Sequence, residues 1–342
     1  MDLITGILAA LVIFAVLVVT HEGGHFAAAK AVGVKVNEFA IGMGPLLFKK
    51  QKGETLYSLR LLPIGGYVAM EGEDQESDNP RAFNNKPAWA KALVVAAGPV
   101  MNFVLAVIIF ACIITYGGTA VDPVLETVNE GLPAYVAGIR PGDMVTAVDG
   151  VSYKDGTEMV LAISEAGQNS DSVTLTVKDA DTGEISDHTI AFEETDQGGK
   201  VIGIVFGVKH NPFAGVVQGT KTAVRMEIEM VKVLADLFTG GGSVDDFMGP
   251  VGIVTVVDES AKAGVGNLIY LMALLSLNLG LINILPFPAL DGGRLLFIVI
   301  RKFAGKAISD QLEGKIHFIG IMILFALMIF VTFKDINKFI LK

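Results

Sequence analysis

Charge is what the 342-residue sequence has least of. Asp, Glu, Lys and Arg make up 18% of it, against about a quarter in soluble globular domains. Cysteine is nearly absent: Cys112 stands alone, which excludes a disulfide framework and any metal site built on cysteines. Basic residues are short too, 26 against 36 acidic ones for a net charge of −10, and this balance argues against a nucleic-acid partner, which would want a basic face. Histidine is limited to five residues, so an imidazole-based site has few sources. What fills the chain instead is apolar: 52% hydrophobic residues and a mean hydropathy of +0.57. That is the composition of a membrane protein.

Four apolar stretches, residues 3–30, 93–116, 268–300 and 316–333, are each long enough to cross a hydrocarbon core of about 30 Å, which takes about 20 helical residues. The first is expected to be retained. It opens with Met1-Asp2, has no basic leader, and runs into His21-Glu22-Gly23-Gly24-His25 without a small-x-small cleavage site. Lys and Arg flank the spans unevenly. Lys30, Lys35, Lys49, Lys50, Lys52, Arg60, Arg81, Lys86 and Lys91 lie between spans one and two, and Arg301, Lys302, Lys306 and Lys315 between three and four. Both loops are therefore expected on the cytoplasmic side, and both termini and residues 117–267 outside.

Between the spans the patterns change. Residues 34–70 alternate around Gly and Pro and read as a hairpin or small sheet, apolar enough (Phe39, Ile41, Leu46, Phe48, Leu61, Ile64) to dip toward the membrane. Residues 122–208 read as a small mixed domain: Asp149-Gly150 is a hairpin signal, and Val173, Leu175 and Val177 alternate with Thr174 and Thr176. This stretch resembles a PDZ domain of the kind found in bacterial envelope proteases, although it carries no Gly-Leu-Gly-Phe loop. Residues 214–266 read as an amphipathic helix, with Val224, Ile228, Val231, Leu234 and Phe238 on one face, followed by a linker in which Gly240-Gly241-Gly242 offers a hinge.

His21 and His25 are one helical turn apart and can present two imidazole nitrogens to one zinc ion. Glu22 projects beside them, placed to act as the general base that a hydrolase needs. Zinc hydrolases use a third protein ligand and leave the fourth position to water. His188, His210 and His317 fall in surface or interface contexts, and the better candidate is Asp291. It lies in a hydrophobic stretch too long for one crossing and interrupted by Pro286, Pro288, Gly292 and Gly293. Broken helix at membrane depth is tolerated only where it is buried or lines a cavity, and an unpaired acid there is costly. Counted along uninterrupted helices, His21 lies about 27 Å from Leu3 and Asp291 about 34 Å from Leu268, so both reach a similar depth. A non-proteolytic metal-binding membrane protein, a transporter or a scaffold, is the alternative; it has no need of Glu22 beside the first ligand.

The HEGGH motif, "LPIGGYVAM", "FNNKPAWAK", "GPVMNF", the PDZ-like insert, "MGPVGI" and "NILPFPALDGGR", in that order, resemble the site-2 protease family, in particular its bacterial RseP-like branch. The resemblance implies a polytopic α-helical membrane protein with four transmembrane helices, a membrane-associated β-hairpin or sheet and one inserted α+β PDZ-like domain. Its parts are residues 1–116 (spans one and two), 122–208 (the PDZ-like domain), 214–266 (amphipathic helix and linker) and 267–342 (spans three and four). It further implies an intramembrane zinc endopeptidase of a bacterial cytoplasmic membrane, with its active site near the cytoplasmic leaflet. Such an enzyme cuts single-pass membrane substrates, anti-sigma factors or remnant signal peptides, after a site-1 protease has trimmed them. On the resemblance, Asp291 is the third zinc ligand and Asn283 helps to hold the substrate backbone. The strand at Gly65, Gly66 and Tyr67 is expected to pair with an unwound substrate.

Overall fold

The computed structural model describes residues 3–339 apart from 74, 76, 154–155, 195–198, 240–247 and 305–309. The triple-glycine hinge lies outside the described residues. The chain forms two compact units, one of residues 1–110 with 219–342 and one of residues 111–218.

The elements run in the order α1 (Leu3–Ala31), β1 (Val36–Lys52), β2 (Thr55–Met70), α2 (Ala88–Gly117), β3 (Ala120–Val128), α3 (Pro133–Val136), β4 (Met144–Val148), β5 (Val151–Ser152) and α4 (Gly156–Asn169). Then follow β6 (Ser172–Lys178), β7 (Ile185–Ala191), β8 (Glu193–Glu194), β9 (Lys200–Val201), β10 (Ile204–Lys209), α5 (Pro212–Thr239), α6 (Pro250–Ala263), α7 (Val265–Ile284), α8 (Asp291–Ala304) and α9 (Asp310–Phe339).

Among the described residues, four helical segments are long and apolar enough to cross a membrane: Gly6–Ala31, Ala88–Gly117, Val265–Ile284 and Leu312–Asn337. In the first unit, Ala10, Ile13 and Leu17 of α1 are buried against Val257 of α6, with Leu268, Leu271, Met272 and Leu275 of α7 packed around them. Two sequence readings change here. The apolar stretch 268–300 is two helices, not one interrupted span: α7 stops at Ile284, and α8 starts at Asp291. The depth estimate that ran a helix through to Asp291 therefore fails, and a six-residue turn brings that side chain to the site instead. Residues 250–263, read as part of a linker, form helix α6. Pro250 opens it, and the buried Asp335 of α9 accepts the Gly252 N–H at 2.7 Å, satisfying an amide that a helix start leaves unpaired.

The β1–β2 pair is more than a hairpin. Residues 46–52 pair with 55–60 across the turn at Gly53, but residues 38–41 pair both with 56–59 and with 66–69. The two long strands, broken at Gly42-Met43-Gly44 and Pro63-Ile64-Gly65, thus give a four-segment sheet in the order 66–70, 36–41, 55–60, 46–52. Its first two segments are anchored by a buried cluster of Val34, Val36, Val68 and Met70 with Ala29 of α1 and Val94 of α2. Its other end exposes Met43, Leu46, Leu47, Phe48, Leu61 and Leu62.

The second unit is an antiparallel sheet in the order β10-β3-β4-β6-β7, with β5 on β4. Asp149 (φ 48°) and Gly150 (φ 78°) make the two-residue turn between β4 and β5, the left-handed pair that a type I′ hairpin requires. Val173, Leu175 and Val177 of β6 point inward to a core with Leu125, Ile139, Val145, Met159 and Ile190. A groove of about 550 Å³ runs beside the edge strand β10, lined by Val160, Ile163, Phe192 and Phe206 among others.

Candidate metal centre

His21 and His25 sit on the same face of α1, both 8% exposed, with ring centroids 4.8 Å apart. Asp291, the first residue of α8, reaches them from the other side. Its Oδ2 is 3.1 Å from His21 Nε2 and 3.3 Å from His25 Nε2, and the two Nε2 atoms are 3.2 Å apart.

The protonation pattern says what these atoms are for. His25 Nδ1 lies 2.8 Å from the carbonyl of Val94, so it carries the proton and leaves a lone pair on Nε2. His21 Nδ1 is 3.2 Å from Asn102 Nδ2. Asn102 is fully buried, and its Oδ1 has no partner among the described residues. With the amide turned so that Oδ1 accepts the Nδ1–H, His21 also presents a bare Nε2. Asp291 Oδ2 is buried and receives no donated hydrogen bond among the described residues. Three electron-rich atoms therefore converge, an arrangement that repels itself unless a cation lies between them. Ligands held tetrahedrally about 2.0–2.1 Å from one zinc stand roughly 3.3–3.4 Å apart, and the observed separations match that edge. His21, His25 and Asp291 form the one group of such residues within metal-binding distance among the described residues.

The neighbouring backbone is shaped around the imidazoles. A β-carbon on Gly98 of α2 would stand 2.9 Å from His21 Cε1 and closer still to the His25 ring, so only glycine leaves room. Gly24 lets α1 approach the Ala97 carbonyl in the same way. Ser276 of α7, also buried, donates to the Asn102 carbonyl at 2.7 Å and ties the third span to the second.

Glu22 lies next to the cluster, and its carboxylate has no hydrogen bond or ion pair among the described residues. Against it runs the sheet. A β-carbon on Gly66 would meet Glu22 Cγ at 3.2 Å, Val18 Cγ1 at 3.1 Å and the Ala40 carbonyl at 2.8 Å. Gly65, at φ 80°, makes the bend that aims this segment. Tyr67 is held from the other side: Arg60 stacks over its ring at 5.3 Å and also donates to Glu38 at 2.8 Å. The Glu38 carboxyl is drawn below its ordinary range by the hydroxyl of Ser58, Arg60 and Tyr67, which outweigh its partial burial, and the Tyr67 hydroxyl is pushed up by burial and by Glu38. Asn283 lies on the last turn of α7, partly buried, and its side-chain amide has no hydrogen-bond partner among the described residues. His188 and His210 are engaged with the Ala137 and Thr115 carbonyls of the second unit, and His317 binds the turn before α8.

Several contributors escape sequence reading. Asn102 lies in a quoted motif, but a buried amide in an apolar run has no periodic signal. Glu73, just past β2, forms an ion pair with Arg294, one turn beyond Asp291; only the folded chain brings residues 221 apart in sequence together.

Membrane-length helices that enclose a two-histidine, one-carboxylate cluster define an integral-membrane metalloprotease. The family model for peptidase family M50 matches residues 9–327. The chain belongs to that family and is a zinc metalloprotease of it. A Clostridium acetobutylicum protein named as a zinc metalloprotease is 36% identical over 334 residues, covering 96% of this chain and 97% of its own. The zinc metalloprotease RasP of Shouchella clausii is 32% identical, covering 97% and 99%. The regulator of sigma-W protease RasP of Bacillus subtilis is 31% identical, covering 98% and 99%. The PDZ domain of a Listeria innocua SdrC-like protein is similar to 26% of this chain over 99% of its own length, at 24% identity and a TM-score of 0.22.

Proposed function

We propose that this metalloprotease cleaves transmembrane segments of single-pass substrates, such as anti-sigma factors or remnant signal peptides, after a site-1 protease has removed their outer part. The observation that carries the reading is the position of the sheet segment 66–70. One edge of it pairs with residues 36–41, its other edge pairs with no strand among the described residues, and Gly66 lies against Glu22. An intact transmembrane helix hides its carbonyls in its own hydrogen bonds. A substrate that unwinds beside this edge regains backbone partners as an added strand, and its exposed peptide bond then lies next to the metal cluster. Gly65, Gly66 and Tyr67 would hold it there, and Asn283, with its amide unengaged, would take a further backbone group.

His21, His25 and Asp291 would hold zinc, which when bound polarises a carbonyl and lowers the pKa of a water molecule toward 7. Glu22 accepts the proton of the attacking water at a carboxylate oxygen and returns it to the amide nitrogen that leaves. His25 is kept in the required tautomer by Val94, and His21 by Asn102. The Lys and Arg distribution supports an orientation with the site near the cytoplasmic leaflet of the bacterial membrane and the second unit outside. The name of the Bacillus subtilis relative favours a sigma-regulator substrate.

The full-length chain, purified in detergent with zinc, is expected to cut a tagged transmembrane peptide that has a helix-breaking centre. A chelator should stop this, and zinc should restore it. Glu22→Gln should lower cleavage by about 10²–10⁴-fold while zinc stays near one per chain by elemental analysis. Loss of the metal in that variant would refute Glu22 as the base.

A further inference from the structure

Asp291 reaches the cluster from a turn, and the turn is strained. Leu290 N donates to Phe287 O at 3.2 Å, closing residues 287–290 with Pro288 and Ala289 at the centre. Ala289 has φ 82°. Proline second and a positive φ third are the marks of a type II turn, whose third position favours glycine. Ala289 carries a β-carbon there, so its conformation is unfavourable by itself. In such a turn the N–H of the third residue has no partner within the turn.

The partner comes from α9. His317 Nδ1 accepts the Ala289 N–H at 2.9 Å. This places the ring proton on Nε2, which faces Glu313 Oε1 at 3.9 Å, and the ring packs on Phe297 with centroids 5.5 Å apart. Nearly one turn further along α9, Gly320 lies under the turn: a β-carbon there would be 2.6 Å from Pro288 Cβ. Two residues of α9 thus hold one disfavoured turn, and Asp291 is two residues beyond Ala289.

We infer that His317 is a positioning residue for the metal site: by accepting the Ala289 N–H it locks the turn that delivers Asp291. This rests on the reading of Asp291 as a metal ligand. Without His317, an unfavourable φ and an unpaired N–H are left together, the turn has other conformations to relax into, and the carboxylate loses its fixed place. The energy of metal binding is then partly used to reorder it.

The test is zinc affinity, measured on the full chain in detergent by competition with a chromophoric chelator, with circular dichroism to check the fold. Asp291→Ala should bind zinc far more weakly. His317→Ala should lose about 10–100-fold, the range for residues that orient ligands. His317→Asn, whose Oδ1 can accept where Nδ1 does, should stay within about threefold of the unaltered chain. Adding Ala289→Gly to His317→Ala should recover at least about threefold, because glycine takes the positive φ without a steric penalty. If His317→Ala binds zinc normally while Asp291→Ala does not, the positioning role is overturned and the ligand reading survives. If Asp291→Ala binds normally, the ligand reading itself fails. If His317→Asn is as weak as His317→Ala, or Ala289→Gly restores nothing, the hydrogen bond to the turn is not the cause, and the inference is overturned on that ground.

Discussion

The backbone of Gly66 rests against the side chain of Glu22, with space for a hydrogen and not for a methyl group. Gly66→Ala must therefore displace the Ala40 carbonyl, Val18 or Glu22. The first would distort the sheet edge and the last would move the base. Turnover of a transmembrane peptide should fall by about tenfold or more, equivalent to about 1.4 kcal/mol of barrier, with zinc content unchanged. Normal turnover in Gly66→Ala would mean that the substrate does not lie along this strand.

Asn102 should matter to the metal before it matters to the substrate. With its amide turned so that Oδ1 accepts from His21, Asn102 fixes the His21 tautomer, and Asn102→Ala leaves a buried Nδ1–H without a partner. Zinc affinity should fall by about 10–100-fold, measured by chelator competition, while KM for the peptide at saturating zinc changes little. Asn102→Asp, whose carboxylate accepts the same N–H, should bind zinc more tightly than the alanine variant.

The grouping of His21, His25 and Asp291 was legible because its chemistry is local or costly: two imidazoles at helical spacing, and an acid in a broken apolar run. Val173, Leu175, Val177 and the Asp149-Gly150 turn were legible because strand alternation and left-handed turns leave marks on neighbouring residues. Two features were hidden for a shared reason. Helix α6 carries Asp258, Glu259 and Lys262 among its apolar residues, and its burial against α1 depends on contacts distant in sequence. The sheet has four segments because residues 38–41 find two partners, which alternation within either strand does not encode. The division between α7 and α8 is different: Pro286 and Pro288 mark the break in the sequence, and the depth count ran a continuous helix through them, bringing Asp291 beside His21 for the wrong reason.

The sheet is also tied down by carboxylates that give it a pH dependence. Glu54, at the turn between β1 and β2, meets both Arg81 nitrogens and Lys30 at 2.7–2.8 Å, and those partners hold its carboxyl at about 2, against an ordinary 4.5. Glu71, bound by Ser77, Asn37 and Lys35, is held at about 2 as well. Depressed carboxyls stabilise the fold fully above the unfolded value and lose that contribution as pH falls toward the folded one. Hydrogen-exchange protection of residues 36–59, corrected for intrinsic rates, should be level from pH 7 to 5 and decline below about 4.5. A chain with Glu54→Gln and Glu71→Gln should decline less steeply. Equal slopes in the two proteins would remove these ties from the account.

The second unit should filter substrates without building the site. His21, Glu22, His25, Gly66, Asn102 and Asp291 all belong to the other unit, and the only histidines of residues 111–218 are engaged with backbone carbonyls. The insertion can be removed cleanly, because its ends meet: Ala120 pairs with Lys209, and Thr119 N donates to the Lys209 carbonyl at 2.7 Å. Joining Thr119 to His210 through a short glycine linker should therefore leave the flanking helices undisturbed. Cleavage of a short, pre-trimmed transmembrane peptide should then stay within a few fold of the full chain. Substrates that still carry a folded outer domain, which the full chain should reject, should now be cut. If the short peptide is no longer cleaved while the protein keeps its zinc and its helical content, the unit must help to present the substrate, and exclusion by size is not its role.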